Sequence, residues 1–212
     1  MIDEILFSYQ KENDELLELF YSSCAMKERF PEAYSEKMHY IFVEHILLTA
    51  YRNWEFFIEN VFIRYMLGDF SKKGNPVQRF VYPKDENHAY EMIKNVRSYP
   101  DWSDIDIILT YAGNFFEDGG AFIYLRTMKG ELYSIKKIRN AIAHNSLKAK
   151  REFENLVQGK VGFLPNNITP ADFLANHKIG KKKTDMLYIE YYIDFLKNAA
   201  EMLVQYNAEN TI

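Results

Sequence analysis

The stretch YIFVEHILLTAYRNWEFFIENVFIRYML, residues 40–67, decides the fold class. It contains neither Gly nor Pro, and its apolar residues fall on most sides of a helical wheel. A helix this apolar all round sits in the middle of a bundle. Glu44, Arg52, Glu55, Glu59 and Arg64 interrupt it, each costing ~2–3 kcal/mol at a bilayer centre. The segment therefore reads as a buried helix of a soluble protein, capped at its start by Ser35 and stopped by Gly68.

Working outward, Ile5, Leu6, Tyr9, Leu16, Phe20 and Cys24 keep helical spacing, so a first helix is expected from Ile2 to Glu28, ended by Pro31. Residues 69–84 hold Gly74, Pro76 and Pro83 and read as an irregular excursion in which Arg79 to Tyr82 extends as a short strand. Helical pattern resumes near Asp85, stops near Pro100 and restarts at Ser103 as cap, with Asp104 and Asp106 in the first turn; Gly119 and Gly120 end that unit. Further helices are expected from Gly130 to Asn145 and from Lys148 to Val157. Thr169, Pro170 and Asp172 mark another N-terminus as cap, N1 and N3. Thr184 caps a last helix with the stripe Ile189, Ile193, Leu196, Ala200, Leu203. With no repeat and no convincing linker, the expectation is one all-α domain over 1–212, a helical bundle with extra helices and loop excursions.

Composition agrees. Hydrophobic residues make up 48%, aromatics 16%, and Gly (9) and Pro (6) are scarce, which excludes disordered and collagen-like classes. Cys24 is the single cysteine, so no intrachain disulfide forms, and MIDEILFSYQ lacks a basic region followed by an apolar one. A cytoplasmic location is expected. The formal net charge of −4 repels nucleic acid as a whole, so an RNA ligand would need local basic patches. Two clusters qualify: Lys178, Lys181, Lys182, Lys183, and Lys148, Lys150, Arg151. The plainer reading of each is a solvated surface.

In LYSIKKIRNAIAHNS, residues 132–146, a turn of about 100° per residue sets the faces. With Leu132 at zero, Ile138, Ile142 and Ile135 fall near roughly 240°, 280° and 300°, an inward face. Asn140, Tyr133, His144 and Lys137 fall near roughly 80° to 140°, so an amide, a phenol, an imidazole and an ammonium share one surface. Arg139, near roughly 340°, sits at the edge of the apolar arc and needs an anion; Glu55 or Glu59 on the long helix is the candidate within the chain. His144 lies in the last turn, where the helix dipole favours imidazolium and suits proton transfer near neutrality. Singly, such a His is more often a surface residue and such an Arg a salt bridge. Ala141 and Ala143 between them suggest a site that another helix approaches closely.

The string Arg139-Asn140-Ala-Ile-Ala-His144 resembles the R-x4-6-H motif of the HEPN superfamily, in which a polar residue commonly follows the arginine. Tyr51-Arg-Asn-Trp54-Glu55-Phe-Phe-Ile-Glu59 in an early long helix, with a late capped segment before a terminal helix, is similar to the RiboL-PSP-HEPN-like branch. The resemblance implies a HEPN-type bundle and an endoribonuclease that needs no metal and no cofactor. In such enzymes two protomers pair so that Arg and His from both line one cleft. Carried over, Arg139 holds the scissile phosphate, His144 moves protons, Asn140 orients the imidazole or binds a phosphate oxygen, and Lys137 and Tyr133 extend the face. Products carry 2′,3′-cyclic phosphates. A toxin or antiphage effector acting on RNA is the implied role, with a cognate antitoxin or regulatory protein as a possible partner. A related toxin group carries R-x4-H-x-Y, whose tyrosine is modified by its partner; here that position is Ser146, which argues against that control.

Other chemistry finds little support. His39, His45, His88 and His177 lack metal-ligand spacing, one Cys builds no zinc site, and GxGxxG, GxxxxGK[ST] and GxSxG are absent. Asp101, Asp104 and Asp106 are explained by helix capping. The alternative function is a non-catalytic HEPN module that binds RNA, a nucleotide or a partner protein; a purely structural helical domain is the third reading.

Overall fold

The computed structural model describes residues 1–94, 100–180 and 185–208. These residues are all-α: eight α-helices, one 3-10 segment, and no strand beyond isolated bridges. The helices are α1 (Ile2–Arg29), α2 (Glu36–Leu67), α3 (Glu86–Ile93), α4 (Ile105–Phe115), α5 (Leu125–Ala143), α6 (Leu147–Val161), α7 (Pro170–Asn176) and α8 (Tyr188–Val204), with the 3-10 segment at Glu117–Tyr124.

Local chemistry explains most boundaries. Ser35 Oγ accepts from the Met38 amide at the start of α2, and Gly68 at φ 93° ends it in the left-handed region open to glycine. Thr169 accepts from the Asp172 amide ahead of Pro170, and Gly162 at φ 91° closes α6.

Several expectations are corrected. Arg79 to Tyr82 forms no strand; Arg79 makes one isolated bridge to Phe116. The cap of α4 is Asp104, which accepts from the Asp106 and Ile107 amides, while Ser103 bonds Asp101. Gly119 and Gly120, with Asp118, hold non-helical φ/ψ and break the helical run beyond α4, as expected, whereas the 3-10 stretch after them runs directly into α5, which begins five residues before Gly130. Helix α6 outlasts its expected end at Val157, and α8 begins at Tyr188; Thr184 lies outside the described residues. Leu187, just ahead of α8, donates its amide to Glu190 at 2.7 Å.

The chain divides into two compact units: Met1–Gln10, Asn53–Leu132 and Lys197–Ile212 form one, Lys11–Arg52 and Tyr133–Leu196 the other. The first is organised around Phe62, whose ring meets Trp102, Phe115, Phe116 and Phe122 at centroid distances of 4.9–5.8 Å. Tyr65, fully buried, donates its hydroxyl to the Leu203 carbonyl, and Arg64 is held by Asp69 and Glu86. Arg79 donates to the Met66 carbonyl and lies against Gly68, where any Cβ would meet its guanidinium at 2.6 Å.

The second unit buries Phe20, Val43, Ile46, Leu47 and Ala50 together with Ile135, Ile138, Phe153, Phe173, Tyr192 and Ile193. Removing each large side chain from water contributes ~1.5–3 kcal/mol. Phe173 ties this core together, edge-on to Phe153 and stacked on Tyr188 at 4.2 Å. A buried polar cluster lies within it: Ser23 Oγ is 2.7 Å from both His39 Nδ1 and the Tyr34 hydroxyl. No helix among the described residues is long and apolar enough to cross a membrane.

Candidate functional site

The motif lies in the second unit, where α5 ends. Ile135 and Ile138 are fully buried, as the wheel requires, and anchor the helix. Ile142, expected to face inward, is instead half-buried and lines a cleft. The remaining face carries the candidate side chains.

Arg139 is half-buried. Its Nη1 donates to Asn140 Oδ1 at 3.1 Å, and its guanidinium lies 5.9 Å from the ring centre of Tyr51, a buried residue of α2. A ring face at that distance attracts the cation without neutralising it. Glu55 and Glu59, proposed from the sequence as its acidic partners, are half-buried residues of the first unit. The wheel placed Arg139 away from Asn140, but the side chain is long enough to reach around the helix. Tyr51 went unassigned because nothing local in the sequence links positions 51 and 139.

His144 follows directly on the last helical residue, Ala143, rather than lying within the last turn. Its amide still donates to the Asn140 carbonyl at 2.9 Å, so its backbone closes α5. The side chain is exposed, and the imidazole makes no hydrogen bond among the described residues. The chain then turns within three residues. The Ser146 amide donates to the His144 carbonyl at 2.9 Å, and Ser146 Oγ accepts from the Ala149 amide as the cap of α6.

Helix α6 carries the nearer basic cluster, largely offset on its own surface. Lys148 is 3.9 Å from Glu152 and Lys150 is 3.8 Å from Glu154, both at i,i+4 spacing. Exposed Arg151 makes no ion pair among the described residues. In the other cluster, Lys178 bonds Asp185 at 2.8 Å, while Lys181, Lys182 and Lys183 lie outside the described residues. Lys137 and Tyr133 are half-buried on α5.

Beside His144 opens a cleft of about 720 Å³. One wall is the end of α5 with the start of α6, from Ala141 to Lys150; the other is the segment from Leu164 to Pro170, and Phe153 and Glu154 complete it. The second wall is pinned through α7. Asp172 accepts from the Tyr40 hydroxyl at 3.0 Å and from Asn176 at 2.7 Å. Burial, then the Asp172 carboxylate, pushes the Tyr40 phenol up to about 12, which keeps it a donor. Glu44 accepts from the Ala171 amide, while burial raises its carboxyl above the usual carboxylate range. Sequence reasoning missed this wall, because no motif or spacing singles out Asn166 and Asn167.

No group of three or more His, Cys, Asp or Glu side chains among the described residues is placed to hold a metal ion. Asp101, Asp104 and Asp106 are engaged with Ser103, the α4 amides and Lys129. No family model matches the chain, and no curated protein or solved structure matches it.

Proposed function

We propose that the protein is a metal-independent endoribonuclease of HEPN type, working through Arg139, Asn140 and His144 at a homodimer interface, in the role of a toxin or antiphage effector. The observation that carries this reading is the division of labour at the end of α5. The half-buried Arg139 guanidinium donates to Asn140 Oδ1 and lies near the Tyr51 ring, a cation of the kind that binds phosphate, while the His144 imidazole stands exposed and makes no hydrogen bond among the described residues.

In the proposed reaction Arg139 binds the non-bridging oxygens of the scissile phosphate and stabilises the charge they gain. One His144 accepts the proton of the 2′-hydroxyl as that oxygen bonds to phosphorus. The bond from phosphorus to the 5′-oxygen breaks, and that oxygen takes a proton from a second imidazole, supplied by the paired subunit. The products are a 2′,3′-cyclic phosphate and a 5′-hydroxyl.

RNA incubated with the purified protein in EDTA should be cut, and Arg139→Ala and His144→Ala should each lower the rate by ~10³-fold or more. Cleavage that requires a divalent metal rejects the mechanism. A strict monomer in solution removes the composite site.

A binding module is the second reading, favoured by the pairing of Lys148 and Lys150 with Glu152 and Glu154 on a chain of net charge −4. It predicts RNA retention without cleavage.

A further inference from the structure

We infer that the cleft beside His144 is the subsite for one unstacked nucleobase, the one borne by the ribose whose 2′-hydroxyl His144 addresses. The inference rests on the ribonuclease reading and adds to it how the enzyme selects where to cut.

The cleft's size and lining suit a flat heterocycle. At about 720 Å³ it falls within the ~300–1,000 Å³ of small-molecule sites. Its mouth has an apolar residue on each wall, Leu147 at 75% exposed and Leu164 at 43% exposed, which offer apolar contact to a ring. Phe153, 2% exposed, forms part of the floor.

The polar groups are of the kind that read a base edge. Asn166 and Asn167 are exposed at the turn on the far wall, and their amides make no hydrogen bond among the described residues. Each amide offers a donor and an acceptor together, the pattern needed along the edge of a base in single-stranded RNA. Asn167 sits at φ 56°, a left-handed conformation uncommon outside glycine, and it is one of two such non-glycine residues among those described.

Charge separates base from phosphate. Among the described residues lining the cleft, Lys150 is the one lysine or arginine, and it is 3.8 Å from Glu154 on the same lining. The cleft therefore carries little net charge and suits a ring, while Arg139, to which the ribonuclease reading gives the phosphate, lies outside its lining.

The test compares the wild type with Asn166→Ala/Asn167→Gly, in which glycine keeps the left-handed turn and both changes are at exposed positions. Cleavage is scored with each of the four nucleotides before the cut, and binding of 3′-AMP, 3′-GMP, 3′-CMP and 3′-UMP is titrated on both proteins. The wild type should separate the best nucleotide from the worst by roughly tenfold or more, and the variant should compress that ratio several-fold. The variant should also bind the preferred monophosphate roughly tenfold more weakly. Cleavage with unchanged preference and unchanged monophosphate binding overturns the subsite and leaves the ribonuclease reading intact. Monophosphate binding that the variant loses, in a protein that cuts no RNA, supports the subsite and removes the ribonuclease reading.

Discussion

Nη1 of Arg139 donates to Oδ1 of its chain neighbour Asn140 at 3.1 Å, so the residue after the arginine fixes which way the guanidinium faces. Under the proposed function this contact gives Asn140 a positioning role toward the arginine, beside the one expected of it toward the imidazole or a phosphate oxygen. Asn140→Ala should leave the fold intact and lower RNA cleavage by ~10–100-fold, with the loss mainly in turnover. Asn140→Asp should inhibit more strongly, because a carboxylate there pairs with Arg139 and competes with the phosphate. Steady-state kinetics of the two variants check this; an aspartate variant as active as wild type contradicts it.

The ion pairs on α6 make a second prediction. Glu152→Gln with Glu154→Gln frees Lys148 and Lys150 and moves the net charge from −4 to −2. RNA should bind more tightly, with a steeper dependence on salt by up to about one to two phosphate contacts. Stability should change by less than ~1 kcal/mol, since both pairs are largely solvated. Titrations at several salt concentrations, beside thermal melts, read both effects.

Acid should weaken the second unit through His39. Burial first, and Lys27 second, hold this imidazole below its ordinary value of 6.5, so the folded chain keeps it neutral where the unfolded chain takes up a proton. The contribution is fully present above 6.5 and is lost as pH falls from there toward the lowered value. Denaturant unfolding at neutral and mildly acidic pH should show the fall, and His39→Gln should flatten it. Ser23→Ala, which strips a buried hydroxyl from His39 and Tyr34, should cost ~1–3 kcal/mol at neutral pH.

Two glycines should respond differently to alanine. Gly120 has φ 53° and ψ −142°, and a Cβ there would lie 2.6 Å from Val77 Cγ1 and 3.1 Å from Phe116 Cβ. Gly120→Ala should destabilise by ~3 kcal/mol or more, from strain and overpacking combined. Gly74, at φ 75°, has no atom within 4 Å of that position, so Gly74→Ala should cost only ~1 kcal/mol. Melting curves of the two variants separate the terms.

What could be read from the sequence was local. The Ser35 cap, the Gly68 stop and the Thr169, Pro170, Asp172 start act over three or four residues, and the structure keeps all of them. The early start of α5 could not be read. A 3-10 turn feeds directly into it, and Gly130, which looks like a breaker, lies inside the helix with open space where a Cβ would stand. At the candidate site the motif residues were visible, but the Tyr51 ring and the facing wall of the cleft were not. Tyr51 reaches Arg139 from 88 positions away, and the wall bearing Asn166 and Asn167 forms only when α7 is pinned by Tyr40 and Glu44.

Only residues 144, 145 and 146 lie between α5 and α6. His144 closes one helix with its amide, and Ser146 begins the next with its hydroxyl, so the connection has no slack. Adding one residue before His144 would swing its side chain about 100° around the helix axis, and one added after it would shift the cleft wall that α6 carries. Here chain length itself is a determinant of chemistry: with Arg139, Asn140 and His144 all intact, the site should still fail on a change of a single residue in spacing.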